Sequence, residues 1–342
     1  MLAKFLTTIF ILLNPFGFLF GPSANQLENG QNQPVIQSLP EVTSLNINLL
    51  PSSASVFSNF FISAAQETNP DFLPIRDWNI EEPEIGAEAA IIVESAKDKI
   101  LYQKNINQVR PIASLTKLMT ALVTLENLNL EGIATISQRA INAYGDNGGL
   151  AIGEKISIKD LLYILLMESS NDAAVALAEA FENQVLSNDG SLVLTELMNK
   201  KAKGLGLTKT HFVEPSGYQA GNLSTALDLA RLVKYTLNRP FLWQILGTAV
   251  IDLPPTADSS SHHLTNTNQL LSRWPNIIGG KTGYTEEARG CLILSIEQPL
   301  DKMISYLNQD SSAQLIIIVL GAEDRFLETE KLINWVNQAY IW

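Results

Sequence analysis

The hydrophobic pattern divides the chain into three stretches. Residues 1–20, MLAKFLTTIFILLNPFGFLF, are almost wholly apolar after Lys4. Residues 25–82 are rich in Asn, Gln, Ser and Pro and keep no sustained period, which predicts a largely disordered linker. Within it only residues 56–65, VFSNFFISAA, are apolar enough for a short docking helix. From Pro83 onward the pattern is globular. Residues 87–93 and 100–103 are strand-like runs around Ser95-Ala96-Lys97-Asp98, a β-hairpin pattern. Residues 114–126 place Leu115, Leu118, Met119, Leu122 and Leu125 on one helical face. A strong helical signal over 160–181 is interrupted at Ser169-Ser170-Asn171, and residues 192–203 and 225–237 give two more helices. Residues 281–285, 291–296 and 314–320 read as strands, and 328–339 close the chain as a helix. Strands, many helices, strands and a helix predict an α+β fold, an antiparallel sheet flanked by helices, with a helical subdomain inserted at about 118–240.

Composition narrows the function classes. The chain has 342 residues, 46% of them hydrophobic, which is enough for a substantial core. Its formal net charge of −12 lacks the basic footprint of a nucleic-acid binder. A single cysteine, Cys291, excludes an intramolecular disulfide framework and a cysteine-rich zinc site. Of the three histidines, His262 and His263 are adjacent and no HExxH pattern occurs, so both are assigned to a loop rather than to a metal. The Lys-then-apolar order of residues 1–24 predicts a signal peptide, with Ser23 or Ala24 before a weak cleavage site, or an N-terminal membrane anchor. Either form places the rest of the chain outside the cytoplasm. A linker of about sixty residues would then give a reach on the order of 40 Å.

Three short motifs carry the candidate chemistry. Ser114-Leu115-Thr116-Lys117 is the one S-x-x-K in the chain, and it opens an amphipathic helix. Residues i and i+3 share a helix face, so the Lys117 amine can reach the Ser114 hydroxyl. A serine needs such a base to become nucleophilic, and a lysine serves only when burial or a neighbouring cation depresses its pKa. Ser169-Ser170-Asn171 is an S-x-N; two further copies occur before residue 50, and a helix cap would account for this one equally well. Lys281-Thr282-Gly283, in GGKTGYT, reads as an edge strand with a cation, a hydroxyl and a glycine at which a substrate backbone could approach closely. A P-loop is excluded, because Pro275 stands where that motif needs a glycine.

In this order, the three motifs resemble those of the serine-type D-alanyl-D-alanine carboxypeptidases, low-molecular-mass penicillin-binding proteins of the β-lactamase/transpeptidase-like superfamily. The resemblance extends through PIASLTKLMTALVTLE, HFVEPSGY, NLSTALDLARL, NTNQLL, GGKTGYTEEARGCL and the closing IIIVLGAEDRF, over about residues 83–342. It implies that Ser114 is acylated, that Lys117 is its base, and that Ser169 relays a proton to the leaving amine. Asn171 would hold Lys117 and the substrate amide, and Lys281 would keep the site positive. Thr282 would bind the substrate carboxylate, with Arg325 as a second contact. The N–H groups of Ser114 and Tyr284 would form the oxyanion hole. The implied substrates are peptidoglycan stem peptides ending in D-Ala-D-Ala, with β-lactams as inhibitors and no metal or organic cofactor.

Three rival activities share this pattern. A D,D-endopeptidase would cut peptide cross-links with the same site. A class A β-lactamase needs a deacylating glutamate in an E-x-x-x-N context, for which Glu196 and Asn199 have the wrong spacing. A non-catalytic wall-sensing domain would keep the fold alone. Many such carboxypeptidases also carry a C-terminal β-rich domain. This sequence ends at Trp342, directly after the expected last helix, so no such domain is expected.

Overall fold

The computed structural model describes residues 74–185, 190–299 and 312–342. The expected leader and the docking helix at 56–65 lie outside the described residues. Strand β1 (Ile75–Arg76) precedes the hairpin of β2 (Ala89–Glu94) and β3 (Lys99–Lys104). A short strand β4 (Arg110–Pro111) and a 3₁₀ turn over Ala113–Leu115 lead into helix α1 (Thr116–Asn127). Next come β5 (Ile133–Thr135), α2 (Gln138–Ile141), β6 (Lys155–Ser157), α3 (Ile158–Met167), α4 (Asn171–Val185) and α5 (Gly190–Gly204). Strand β7 (Leu223–Ser224), α6 (Ala226–Thr236), α7 (Pro240–Gly247), β8 (Val250–Leu253) and β9 (His262–Thr265) return the chain to the sheet. The chain closes with β10 (Ile277–Thr285), β11 (Arg289–Gln298), β12 (Ala313–Ala322), α8 (Arg325–Ala339) and β13 (Tyr340–Ile341).

The main sheet has five strands in the order β10-β11-β12-β2-β3, every pair antiparallel. Period-two alternation along β12 sorts its side chains. Leu315, Ile317 and Val319 pack with Leu332, Ile333, Trp335 and Val336 of α8, while Ile316, Ile318 and Leu320 join the larger core shared with α1, α3, α4 and α6. The sheet is therefore apolar on both faces, and each fully buried Leu or Ile contributes about 1.5–3 kcal/mol.

Two boundaries differ from the sequence reading. The linker was expected to reach residue 82, yet β1 pairs with β13 and the Arg76 guanidinium stacks 4.8 Å from the Trp335 ring. This polar segment is ordered by a cation–π and backbone anchor that hydropathy does not register. Helix α6, counted with the helical insertion, lies instead on β2 and β12. The two histidines are also not in a loop. They sit on β9, where alternation turns His262 inward to Glu154, 2.7 Å away, and His263 outward to Asp252. Burial would push the Glu154 carboxyl up, but hydrogen bonds from His262, Ala151 and Ser260 outweigh it and hold the pKa below the ordinary range.

Candidate active site

The three motifs come from separate elements and meet in one cleft of about 460 Å³. Ser114 lies in the 3₁₀ turn ahead of α1, Ser169 and Asn171 at the break between α3 and α4, and Lys281–Gly283 on the edge strand β10. Ser114, Ser169, Asn171, Thr282, Gly283, Tyr284 and Arg325 all line the cleft.

The turn that presents Ser114 is strained. Ala113 has φ 47° and Ser169 has φ 62°, both left-handed and neither a glycine. Such residues cost on the order of 1–3 kcal/mol and persist only where surrounding contacts enforce them. Two glycines make the Ser114 turn possible. A Cβ on Gly283 would lie 3.0 Å from the Ser114 nitrogen and 3.2 Å from the Ala113 Cβ. A Cβ on Gly217, at φ 86°, would lie 2.0 Å from the Ala113 carbonyl oxygen. The missing side chain of Gly283 thus makes room for the turn that carries Ser114.

Hydrogen-bond accounting at Lys117 explains its role. The side chain is fully buried, and its Nζ lies 2.6 Å from Asn171 Oδ1, 2.6 Å from the Ser216 carbonyl oxygen and 3.0 Å from Ser114 Oγ. Burial lowers its pKa from 10.5 to about 7, against the opposing pull of Glu214, Asp146 and Asp172. A neutral amine has two N–H donors and one lone pair. In its neutral form Lys117 would give its two N–H bonds to Asn171 and Ser216, which would leave the lone pair to face the Ser114 hydroxyl. That arrangement is the one a lysine base beside a serine nucleophile would require.

The second amine is arranged differently. Lys281 is also fully buried, and its Nζ donates to Ser169 Oγ at 2.9 Å and to the Thr282 carbonyl at 2.9 Å. Burial, then the positive charges of Lys117 and Arg325, hold its pKa well below the ordinary lysine value. With Lys281 as donor, the Ser169 O–H is free to donate into the cleft. The Thr282 hydroxyl meets that of Thr267 at 2.6 Å. Arg325 stands at the first turn of α8 rather than at the end of a strand, half-buried, and its Nε has no protein partner. Arg325 lines the cleft, and a guanidinium there suits an anionic ligand.

Several groups were not singled out by sequence. Asn171 is itself fixed, its Nδ2 donating to the Tyr144 carbonyl and its N–H to the Asp146 carbonyl. Asp172 accepts the Ser170 hydroxyl and the Gly148 N–H, closing the loop before β6 onto the S-x-N turn. Thr267, Ser216 and Gly217 lay within stretches of resemblance but carried no motif of their own. Their contribution is a carbonyl, a hydroxyl and a missing Cβ, which spacing does not reveal. Glu196 and Asn199, the rival β-lactamase pair, lie on α5. Asn199 is engaged with the Phe212 backbone, and neither residue lines the cleft. Among the described residues no cluster of His, Cys, Asp and Glu could hold a metal ion.

Comparison with known proteins shows the family of the chain. The sequence profile described as D-alanyl-D-alanine carboxypeptidase matches residues 77–311. A D-alanyl-D-alanine endopeptidase of Pseudomonas aeruginosa is 30% identical over 298 residues, covering 86% of this chain and 90% of the relative. A D-alanyl-D-alanine endopeptidase of Escherichia coli is 34% identical over 262 residues, 75% of this chain and 79% of the relative. The D-alanyl-D-alanine carboxypeptidase DacF of Bacillus subtilis is 32% identical over 263 residues, 74% of this chain and 63% of the relative. Among solved structures, a DD-transpeptidase of Streptomyces superposes with TM-score 0.67 at 27% identity, over 76% of this chain and all of that one.

Proposed function

The chain belongs to the D-alanyl-D-alanine carboxypeptidase family of serine DD-peptidases, and on that premise we propose that it removes the terminal D-alanine from peptidoglycan stem peptides through a Ser114 acyl-enzyme. The observation that carries this reading is the buried Lys117 amine, whose Nζ lies 3.0 Å from Ser114 Oγ and 2.6 Å from both Asn171 Oδ1 and the Ser216 carbonyl oxygen.

In this mechanism neutral Lys117 takes the proton of Ser114 as Oγ attacks the penultimate carbonyl carbon. The oxyanion forms between the N–H groups of Ser114 and Tyr284. Ser169, held by Lys281, passes a proton to the departing D-alanine nitrogen as the C–N bond breaks. Lys117 recovers its neutral form through that relay, and water then hydrolyses the ester. Thr282 and Arg325 hold the substrate's terminal carboxylate. A penicillin enters the same sequence, and its acyl-enzyme persists. Family members act on cell-wall peptidoglycan, so the protein works outside the cytoplasm. We assign its export to residues 1–24, as a cleaved signal or an anchor, and its reach to the segment that follows.

A second reading is favoured by the relatives named D-alanyl-D-alanine endopeptidases, one of which matches over 90% of its length. In a cross-link the residue after the scissile bond also carries a carboxylate, so the same contacts serve cross-link cleavage. Two measurements test the proposal. A fluorescent penicillin should label the protein covalently and fail to label Ser114→Ala; equal labelling of both would defeat the acyl-enzyme. Digestion of purified muropeptides, read by mass spectrometry, should release free D-alanine from pentapeptides. Conversion of cross-linked dimers to monomers with no D-alanine released would replace carboxypeptidase by endopeptidase.

A further inference from the structure

Glu214 touches neither Ser114 nor Lys117, yet it organises the turn that does. Its carboxylate accepts four close hydrogen bonds within the 214–222 loop: the Ser216 N–H and Ser216 hydroxyl, each at 2.6 Å, the Gly217 N–H at 2.6 Å, and Asn222 Nδ2 at 2.5 Å. Asn222 is fully buried, and its Oδ1 accepts the Val213 N–H at 2.7 Å, so the loop is gathered from both sides. With the N–H groups of this turn drawn onto Glu214, its carbonyls point the other way. The Pro215 carbonyl accepts Thr120 Oγ1 at 2.6 Å, and the Ser216 carbonyl accepts Lys117 Nζ at 2.6 Å. Thr120 and Lys117 are one turn apart on α1, so the loop docks on that helix through two successive carbonyls. Gly217, next in the chain, adopts φ 86° directly against the Ala113 carbonyl.

We propose that Glu214 is a positioning residue for acylation: by holding the 214–217 turn it fixes the Ser216 carbonyl that orients the Lys117 lone pair onto Ser114. The inference rests on the acyl-enzyme reading above. The charge adds a second effect. Lys117 is faced by Glu214 from this loop, by Asp146 from the loop before β6, by Asp172 from α4 and by Lys281 from β10. Of the three acids, Glu214 is the largest source of the pull that favours protonated Lys117. A glutamine at 214 removes that charge. It also turns an NH₂ toward N–H groups that need an acceptor, so the turn loosens.

The test uses the full chain and compares wild type, Glu214→Gln and Glu214→Asp. For each, the rate of acylation by a fluorescent penicillin is measured per titratable site across pH, with folding followed by circular dichroism. Glu214→Gln should acylate on the order of 10²-fold more slowly per active site, the scale of a misaligned catalytic group. Its acid limb should also move to lower pH, because Lys117 loses a stabilising anion. Glu214→Asp, which keeps the charge but shortens the reach, should keep the wild-type acid limb and lose rate. A merely structural role predicts fewer active sites with unchanged rate and unchanged acid limb in those that remain, and that result overturns the inference. If Glu214→Gln does not fold, Glu214→Asp decides: a wild-type rate per site overturns the proposal. Failure of wild type itself to acylate would instead sink the acyl-enzyme reading.

Discussion

The depressed pKa of Lys117 makes a quantitative prediction about acylation. At its ordinary value of 10.5, about 0.03% of a lysine is neutral at pH 7, whereas at about 7 roughly half is neutral. Burial thus supplies an increase on the order of 10³-fold in neutral amine, equivalent to about 4 kcal/mol. The perturbation is pH itself. Between pH 6 and pH 8 the neutral fraction should rise from about one-tenth to about nine-tenths, so the acylation rate should rise roughly tenfold, with a slope that nears unity only below about pH 6. Stopped-flow acylation by a fluorescent penicillin reads this directly, and Lys117→Ala provides the control. A flat profile between about pH 5.5 and 8.5, or an acid limb that survives in Lys117→Ala, would refute the assignment of Lys117 as base. The same group has a thermodynamic counterpart. Its folded pKa lies below its unfolded value, so the unfolded chain binds more protons between about pH 7 and 10.5. The cost of burying the ammonium is therefore fully present below pH 7 and is relieved as pH rises across that window.

Further outcomes are expected elsewhere. Lys281→Met leaves Ser169 without its donor, and acylation should fall by about 10²-fold in the same assay, within the range for a lost proton-relay partner. Gly217→Ala places a Cβ 2.0 Å from the Ala113 carbonyl at φ 86°. The left-handed backbone alone costs about 1–2 kcal/mol, so the melting temperature and the acylation rate should fall together. His262→Leu removes the buried donor to Glu154 and should destabilise the fold by about 3 kcal/mol in denaturant titration, while the acylation rate per active site stays that of wild type. A loss of rate there would mean that β9 reaches the cleft more strongly than its contacts indicate.

Much of the site was legible because its parts are local. Ser114 and Lys117 lie three residues apart at the start of a helix, so helical geometry alone brings them to one face. Ser169 and Asn171 fall where an apolar helical run is broken, and Lys281–Gly283 lie in a strand-like run entered through Gly279-Gly280. The strand and helix periods likewise gave the antiparallel sheet and the closing helix. What spacing could not supply were the groups that act through the backbone. The Ser216 carbonyl is 99 residues from Lys117, and nothing in the type of residue 216 says that its C=O rather than its side chain would matter. The glycine of Lys281-Thr282-Gly283 was readable as an open strand position, but its true neighbour, the Ser114 turn, is set by the packing of β10 against a distant segment.

Residue types and short-range geometry determined which groups are candidates for the chemistry, because a nucleophile, a base and a carboxylate contact are properties of side chains and of helical or strand periods. Tertiary structure decided their state. A lysine beside a serine is an ordinary cation until long-range packing removes water from it, satisfies its two N–H bonds and leaves a lone pair. Desolvation and hydrogen-bond saturation depend on neighbours that are distant in the chain and close only in the fold.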